Sequence, residues 1–305
     1  MRFYVAITDF DWFTYLSAQK PDEVNFWQPS GGRVFHALQP GEPLLFKLHS
    51  PNNRIVGGGF FSHFSSAPLT LAWEAFGTKN GAQSLEEMRE RVWKYRNEQR
   101  QPGSEEIVGC ILLQQPFFFA EPDWIPVSDW AQSIVRGKSY DAAKGRGAEI
   151  WAEVQGRLHR TFVPDESVAV QTERYGKPQM NLPRLGQGAF RVIIADAYER
   201  SCALSSSHIL PILEASHIRP YAQGGTHSPT NGLLLRQDIH TLFDSGYITV
   251  TPDYRVEVSK RIRQEFSNGD DYYAMHGRQI RLPELEQLQP SKELLDWHNE
   301  KVFHS

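Results

Sequence analysis

Hydrophobic positions in residues 1–60 fall in short runs broken by turn signals. FYVAI is followed by LLFKL after the turn QPGEP, and IVGGGFF follows the turn SPNN. This pattern predicts strands and a β-rich opening. A helical period follows, with Leu85, Met88, Val92 and Tyr95 on one face behind the N-cap candidate Ser84. IVGCILLQQPFFF then resumes the strand pattern. Strands around a helix predict a small α+β, barrel-like domain over residues 1–130.

The period changes again in the stretch SYDAAKGRGAEIWAEVQGRL, where Ile150, Val154 and Leu158 recur at helical spacing. It reads as a connecting helix within a linker over 131–182. Pro164, Pro178, Pro183, Gly186 and Gly188 make an irregular joint before a new helix, AFRVIIADAYERSC. A second domain over 183–283 begins there. In it, ILEASHI reads as a strand, RPYAQGGTHSPT as a loop, NGLLLRQDIHTLF as a short helix opened by Asn231, and GYITV as another strand. Residues 284–305, with Leu285, Leu288, Leu294, Leu295 and Trp297, form a helical extension that packs on this domain or on a second copy.

Composition agrees with two folded domains: 305 residues with 40% hydrophobic content suffice for two cores. The two cysteines, Cys110 and Cys202, are too few and too far apart for a disulfide framework or a zinc knuckle, which points to a reducing cytoplasm. MRFYVAITDF lacks the basic and apolar regions of a secretory leader, and no stretch reaches the ~18 apolar residues of a membrane span. The net charge of −4 argues against indiscriminate nucleic-acid binding, though its distribution matters more than its sum. Affinity for nucleic acid must come from local clusters such as Arg184 with Arg191, or Lys260, Arg261 and Arg263.

The second domain carries the candidate chemistry. Phosphodiester hydrolysis needs a base, a cation for the developing negative charge, and a rigid frame. His217 supplies an imidazole that titrates near neutrality. His240 and Asp244, one helical turn apart, place a nitrogen and an oxygen donor on one face for a divalent metal. Asn231 can hydrogen-bond backbone across the loop and fix the strand that carries His217. His227, inside the loop, reads as solvent-facing.

ASHIRPY followed by NGLLLRQDIH resembles the ββα-metal HNH nuclease motif, with spacings of 14 and 9 residues between His217, Asn231 and His240. The resemblance implies a general base at His217, a structural asparagine at Asn231 and a metal ligand at His240. It also implies a second helical ligand at Asp244 and a divalent ion, Mg²⁺ or Mn²⁺ first. Many members carry Asp or His just before the base, where this chain has Ser216. The metal's sphere is then completed by Asp244, ranked first, by water and substrate phosphate, or by Glu214 from the same strand face. The four-cysteine structural zinc of some members is absent. RLGQGAFR and LFDSGYITVTPDYRVEVS resemble the flanks of the motif in bacterial HNH proteins and extend the likeness to residues 183–283. Arg184, Gln187 and Arg191 are candidates for holding a DNA phosphate at the helix start.

The first domain resembles, less specifically, the EVE branch of the PUA-like fold, through FYVAITDFDWF, FWQPSGG, LQPGEPLLFKL and RIVGGGFF. Fused to an HNH nuclease, it implies a reader of modified cytosine, 5-methyl or 5-hydroxymethyl, that flips the base into an aromatic pocket. Trp27 is the candidate stacking wall with Trp12 and Trp73, and Thr8, Asp9, Gln28 and Ser30 are candidate edge readers. The whole chain is thus similar to EVE–HNH modification-dependent restriction endonucleases, acting on double-stranded DNA, with a homodimer as one route to cutting both strands. Two alternatives stay open: a nuclease whose first domain binds RNA or protein, and a DNA-binding module that does not cleave.

Overall fold

The computed structural model describes residues 1–32, 34–96, 106–131, 133–162 and 186–305. The chain divides into two compact units, Met1–Pro183 and Arg184–Ser305. Most of the irregular joint at 164–188, with Arg184, lies outside the described residues.

The first unit runs through β1 (Arg2–Thr8), α1 (Phe10–Gln19), β2 (Glu23–Gln28), β3 (Pro43–Leu48), β4 (Arg54–Pro68), α2 (Leu69–Phe76), α3 (Leu85–Tyr95), β5 (Ile107–Phe118), β6 (Ile125–Pro126), β7 (Gly137–Asp141) and α4 (Gly145–Phe162). Among the described residues its strands form one sheet in the order β2-β5-β4-β3-β1-β7, with β6 paired to β4. β1 and β3 are parallel, and the other pairs are antiparallel. The class is α+β, as the strand and helix periods indicate, and the sheet is open rather than closed into a barrel.

Alternation along the strands builds a core on each face. Leu44, Phe46 and Leu48 of β3 join Trp12, Phe13 and Leu16 of α1 on one side. Phe3 and Val5 of β1 join Leu45, Ile150 and Val154 on the other. The helix read as a connector is thereby part of the first unit: Ile150 and Val154 are buried against its sheet. Two segments depart from the sequence reading. Residues 10–19, in the stretch taken as strands, form α1, and Gly137–Asp141, taken as the start of the connecting helix, forms β7 and pairs with β1. Ser84 does cap α3, its side chain accepting the Glu87 N–H.

The second unit contains α5 (Gln187–Ala197), β8 (Leu213–His217), β9 (Gly232–Arg236), α6 (Gln237–Asp244), β10 (Ile248–Val250), β11 (Val256–Val258), α7 (Arg261–Phe266), α8 (Asp270–Tyr273) and α9 (Lys292–Lys301). β8 and β9 form an antiparallel hairpin in unbroken register, His217 opposite Gly232. NGLLLR is therefore strand, not helix. Asn231 ends a 3₁₀ turn before β9, and the helix begins at Gln237. Leu233, Leu234 and Leu235 are all buried, because α5 and α6 both pack on the hairpin. Each such leucine contributes about 1.5–3 kcal/mol on leaving water.

α9 closes the second unit: Leu295 is buried, and His298 stacks on Phe243 at 3.8 Å. Both cysteines are free and buried. No described helix is long and apolar enough to cross a membrane.

Candidate active site

β8 carries the first candidate group to the end of the hairpin. His217 lies flat against Phe190 of α5, with centroids 4.1 Å apart and planes 10° apart. Gly232 makes this approach possible: a Cβ there would sit 2.9 Å from the Phe190 ring and 2.4 Å from Ile194. On its other side, His217 Nε2 is 2.9 Å from His227 Nδ1. Burial, and after it the neighbouring His227 and His240, push His217 down to about 4, so the ring is neutral at neutral pH.

Asn231 braces the loop between these histidines. Buried at the loop's end, it accepts the Arg219 N–H at 2.9 Å and donates to the carbonyls of Arg219 at 2.9 Å and Thr226 at 2.8 Å. Gly225 lets the loop fold that tightly, since a Cβ there would lie 1.9 Å from the Arg219 carbonyl oxygen. The loop has a polar composition, yet His227 is half-buried between His217 and the stacked ring of Tyr221. The solvent-facing expectation for His227 is corrected by these contacts.

α6 presents His240 between two carboxylates. Nδ1 is 2.6 Å from Glu214 Oε2, and Nε2 is 3.3 Å from Asp244 Oδ2. Burial disfavours the charged ring, but the hydrogen bonds with Asp244 and Glu214 outweigh it and hold His240 above its ordinary value. Among the described residues no three His, Cys, Asp or Glu side chains converge as a metal site. Glu214 engages the far nitrogen of His240, and Nε2 faces the Asp244 carboxylate.

That pair suits a divalent ion. Two donors 3.3 Å apart flank one point, and the Nδ1–carboxylate contact is the usual orienting bond of a metal-binding histidine. Ser216 shares the strand face of Glu214, is fully buried, and its hydroxyl has no hydrogen-bond partner.

The phosphate candidates fare unevenly. Gln187 is exposed at the first turn of α5 and Arg191 is half-buried on the same helix, whereas Arg184 lies outside the described residues. Arg261 and Arg263 are paired with Glu265 and Asp270, which partly neutralises that cluster.

The first unit holds a cavity of ≈ 290 Å³ of its own. Thr8, Asp9, Trp12, Trp27, Gln28 and Ser30 all line it, together with Phe26, His49, Tyr95 and Arg136, which the sequence reading did not assign to a pocket. Trp73 does not line it and sits half-buried on α2. The indole N–H groups of Trp12 and Trp27 both donate to the Asn80 carbonyl oxygen, at 3.0 and 2.9 Å, which fixes both rings. Tyr95 donates to the Asp9 carboxylate, and His49 lies 3.4 Å from it.

One family model matches within the second unit. The model of a family described as HNH endonuclease matches residues 202–251, the span holding His217, Asn231, His240 and Asp244. No curated protein matches the chain. Among solved structures, an ASCH protein from Zymomonas mobilis is similar with 10% identity over 50% of this chain and 94% of its own, at a TM-score of 0.34. The modification-dependent TagI restriction endonuclease is similar with 12% identity over 92% of this chain and 75% of its own, at a TM-score of 0.30. With the hairpin, the braced loop and the following helix all inside the matched span, residues 202–251 are an HNH endonuclease domain.

Proposed function

We propose that this protein is a metal-dependent endonuclease that cuts double-stranded DNA bearing modified cytosine, with His217 as general base and His240 and Asp244 as metal ligands. The observation that carries the cutting half is the placement of His240 Nε2 and Asp244 Oδ2 at 3.3 Å, with Glu214 on Nδ1. The charges of His240 and Asp244 both act on His217.

His217 is uncharged at working pH, the state in which a ring nitrogen can accept a proton from water. Phe190 and Asn231 keep its ring and strand in place while it does so. Glu214 fixes the ring of His240, which with Asp244 would hold a divalent ion, Mg²⁺ or Mn²⁺ first. Such an ion supplies Lewis-acid stabilisation of the phosphate and of the leaving oxygen. Gln187, exposed at the start of the helix that supports His217, and Arg191, one turn further on, are assigned to the DNA backbone.

Targeting is assigned to the cavity of the first unit. It offers what an extruded base requires: a fixed indole in Trp27, further rings in Trp12, Phe26 and Tyr95, and polar groups in Thr8, Asp9, Gln28 and Ser30. The test is digestion of matched plasmids carrying cytosine, 5-methylcytosine or 5-hydroxymethylcytosine, each with and without chelator. Cleavage confined to a modified plasmid with metal supports the whole proposal; equal cleavage of all three removes the targeting half.

A further inference from the structure

One ring nitrogen of the proposed base is already engaged. His217 Nε2 and His227 Nδ1 are 2.9 Å apart, and each ring is held from outside, His217 flat on Phe190 and His227 flat on Tyr221 at 5.1 Å and 9°. A hydrogen bond between two imidazole nitrogens needs one N–H and one lone pair. A neutral imidazole has a single N–H, so the direction of this bond fixes the other nitrogen of each ring too. If His227 donates, the proton of His217 sits on Nδ1 and its lone pair is consumed in the contact. No basic nitrogen is then left for water. If His217 donates from Nε2, its lone pair lies on Nδ1 and is free.

We propose that His227 is a positioning residue for the cleavage reaction: it accepts the Nε2–H of His217 and so locks that ring in the tautomer whose Nδ1 is the base. The inference rests on the reading of His217 as base. In the step it serves, a water proton passes to Nδ1 and the O–H electron pair forms the new bond to phosphorus. The bond to the leaving oxygen breaks with its pair on that oxygen, and the Nε2–H stays on His217, held by His227. A neutral acceptor orients the ring without setting a further negative charge beside the phosphate, as a carboxylate there would.

The loop is built to keep the two rings in register. Asn231 bonds Arg219, two residues after His217, and Thr226, the residue before His227. One buried amide thus sets the span between both histidines.

The test uses the full chain with isotope-labelled histidine and long-range proton–nitrogen spectra, the His217 signals being identified by their loss in His217→Gln. The parent is expected to show His217 with its proton on Nε2, and His227→Ala to show a mixture or the reverse. An Nδ1–H tautomer in the parent, or an unchanged tautomer in His227→Ala, would overturn the proposal whether or not cleavage is observed. In turnover, His227→Ala is expected to lower kcat by about 10–100-fold, the usual range for losing an orienting partner, with KM for DNA little changed. His227→Asn, whose amide oxygen can accept the same hydrogen, is expected to recover most of that loss. Parent-level kcat in His227→Ala, or no recovery in a folded His227→Asn, counts against the proposal. If the alanine variant does not fold, His227→Phe, which keeps a ring against Tyr221 and offers no acceptor, gives the spectroscopic answer. Failure of His217 as base would show instead as full cleavage by His217→Ala, leaving the tautomer result separate.

Discussion

Glu214 on β8 and His240 on α6 meet at 2.6 Å, carboxylate oxygen to Nδ1, so the strand that carries the proposed base also orients the proposed metal ligand. Glu214→Gln keeps the volume but loses the charge that draws the Nδ1 proton. It is expected to raise the metal concentration for half-maximal cleavage by about 10–100-fold, while saturating metal restores much of the rate. A metal titration of cleavage by parent and variant checks this; identical titrations would show Glu214 to be a bystander.

Asn231 uses both ends of its amide on the loop. Asn231→Ala removes three hydrogen bonds to partly buried backbone groups at Arg219 and Thr226, at a cost of about 0.5–1.5 kcal/mol for each bond. Asn231→Asp is expected to be no better, since it turns the donor facing two carbonyl oxygens into an acceptor. Denaturant unfolding of the full chain reads the loss, and cleavage should fall with it. A variant as stable and as active as the parent would show that the loop needs no brace.

How much of this site could be read from the chain depends on how local each feature is. The His217, Asn231 and His240 spacing is a local property, so the motif was legible. The secondary structure between its letters was not. Three consecutive leucines after Asn231 show no alternation because β9 is covered on both faces, and an unbroken apolar run does not distinguish strand from helix. α1 was hidden in the same way: its aromatic residues have strand propensity, but packing Trp12, Phe13 and Leu16 on the sheet decides for helix. His227 sits in a Gly/Pro/Ser-rich loop, and its contact with His217, ten residues away in the chain, is set by the way Asn231 folds that loop, which composition does not record. In the first unit, six of the seven named pocket residues share one cavity because β1, α1 and β2 are neighbours in sequence and in space. Trp73 and Tyr95 both belong to the later helices, and only the fold shows that Tyr95 reaches Asp9 while Trp73 does not line the cavity.

His298 gives the second unit a pH dependence. It is buried, bonded to Thr249 at 2.8 Å and to the Phe243 carbonyl at 3.2 Å, and burial pushes it from the ordinary 6.5 to about 4. The unfolded chain therefore binds a proton between those values that the folded chain refuses. Stability from this residue is fully present above pH ~6.5 and is lost as pH falls towards ~4, up to about 3 kcal/mol. Urea unfolding across that range should show the slope, and His298→Gln should flatten it. An equal slope in both proteins would assign the dependence to other groups.

Trp27 is the indole whose loss should be felt in recognition rather than in chemistry. Its N–H shares the Asn80 carbonyl with Trp12, so the ring is fixed before any base arrives. Trp27→Ala is expected to cost about 1–3 kcal/mol of stacking with an extruded base and to leave affinity for plain duplex unchanged. Binding of methylated, hydroxymethylated and plain duplexes by parent and variant measures it. Equal affinities throughout would remove the reader role.

The central claim, that residues 202–251 cut DNA with His217 as base, is tested most directly by one comparison. Supercoiled plasmid carrying the modified base is incubated with the parent or with His217→Ala, in Mg²⁺ or Mn²⁺ and in chelator, after thermal unfolding has shown both proteins folded. The account expects the parent to nick or linearise the plasmid only with metal, and His217→Ala to be slower by about 10²–10⁴-fold. Full cleavage by His217→Ala would contradict it.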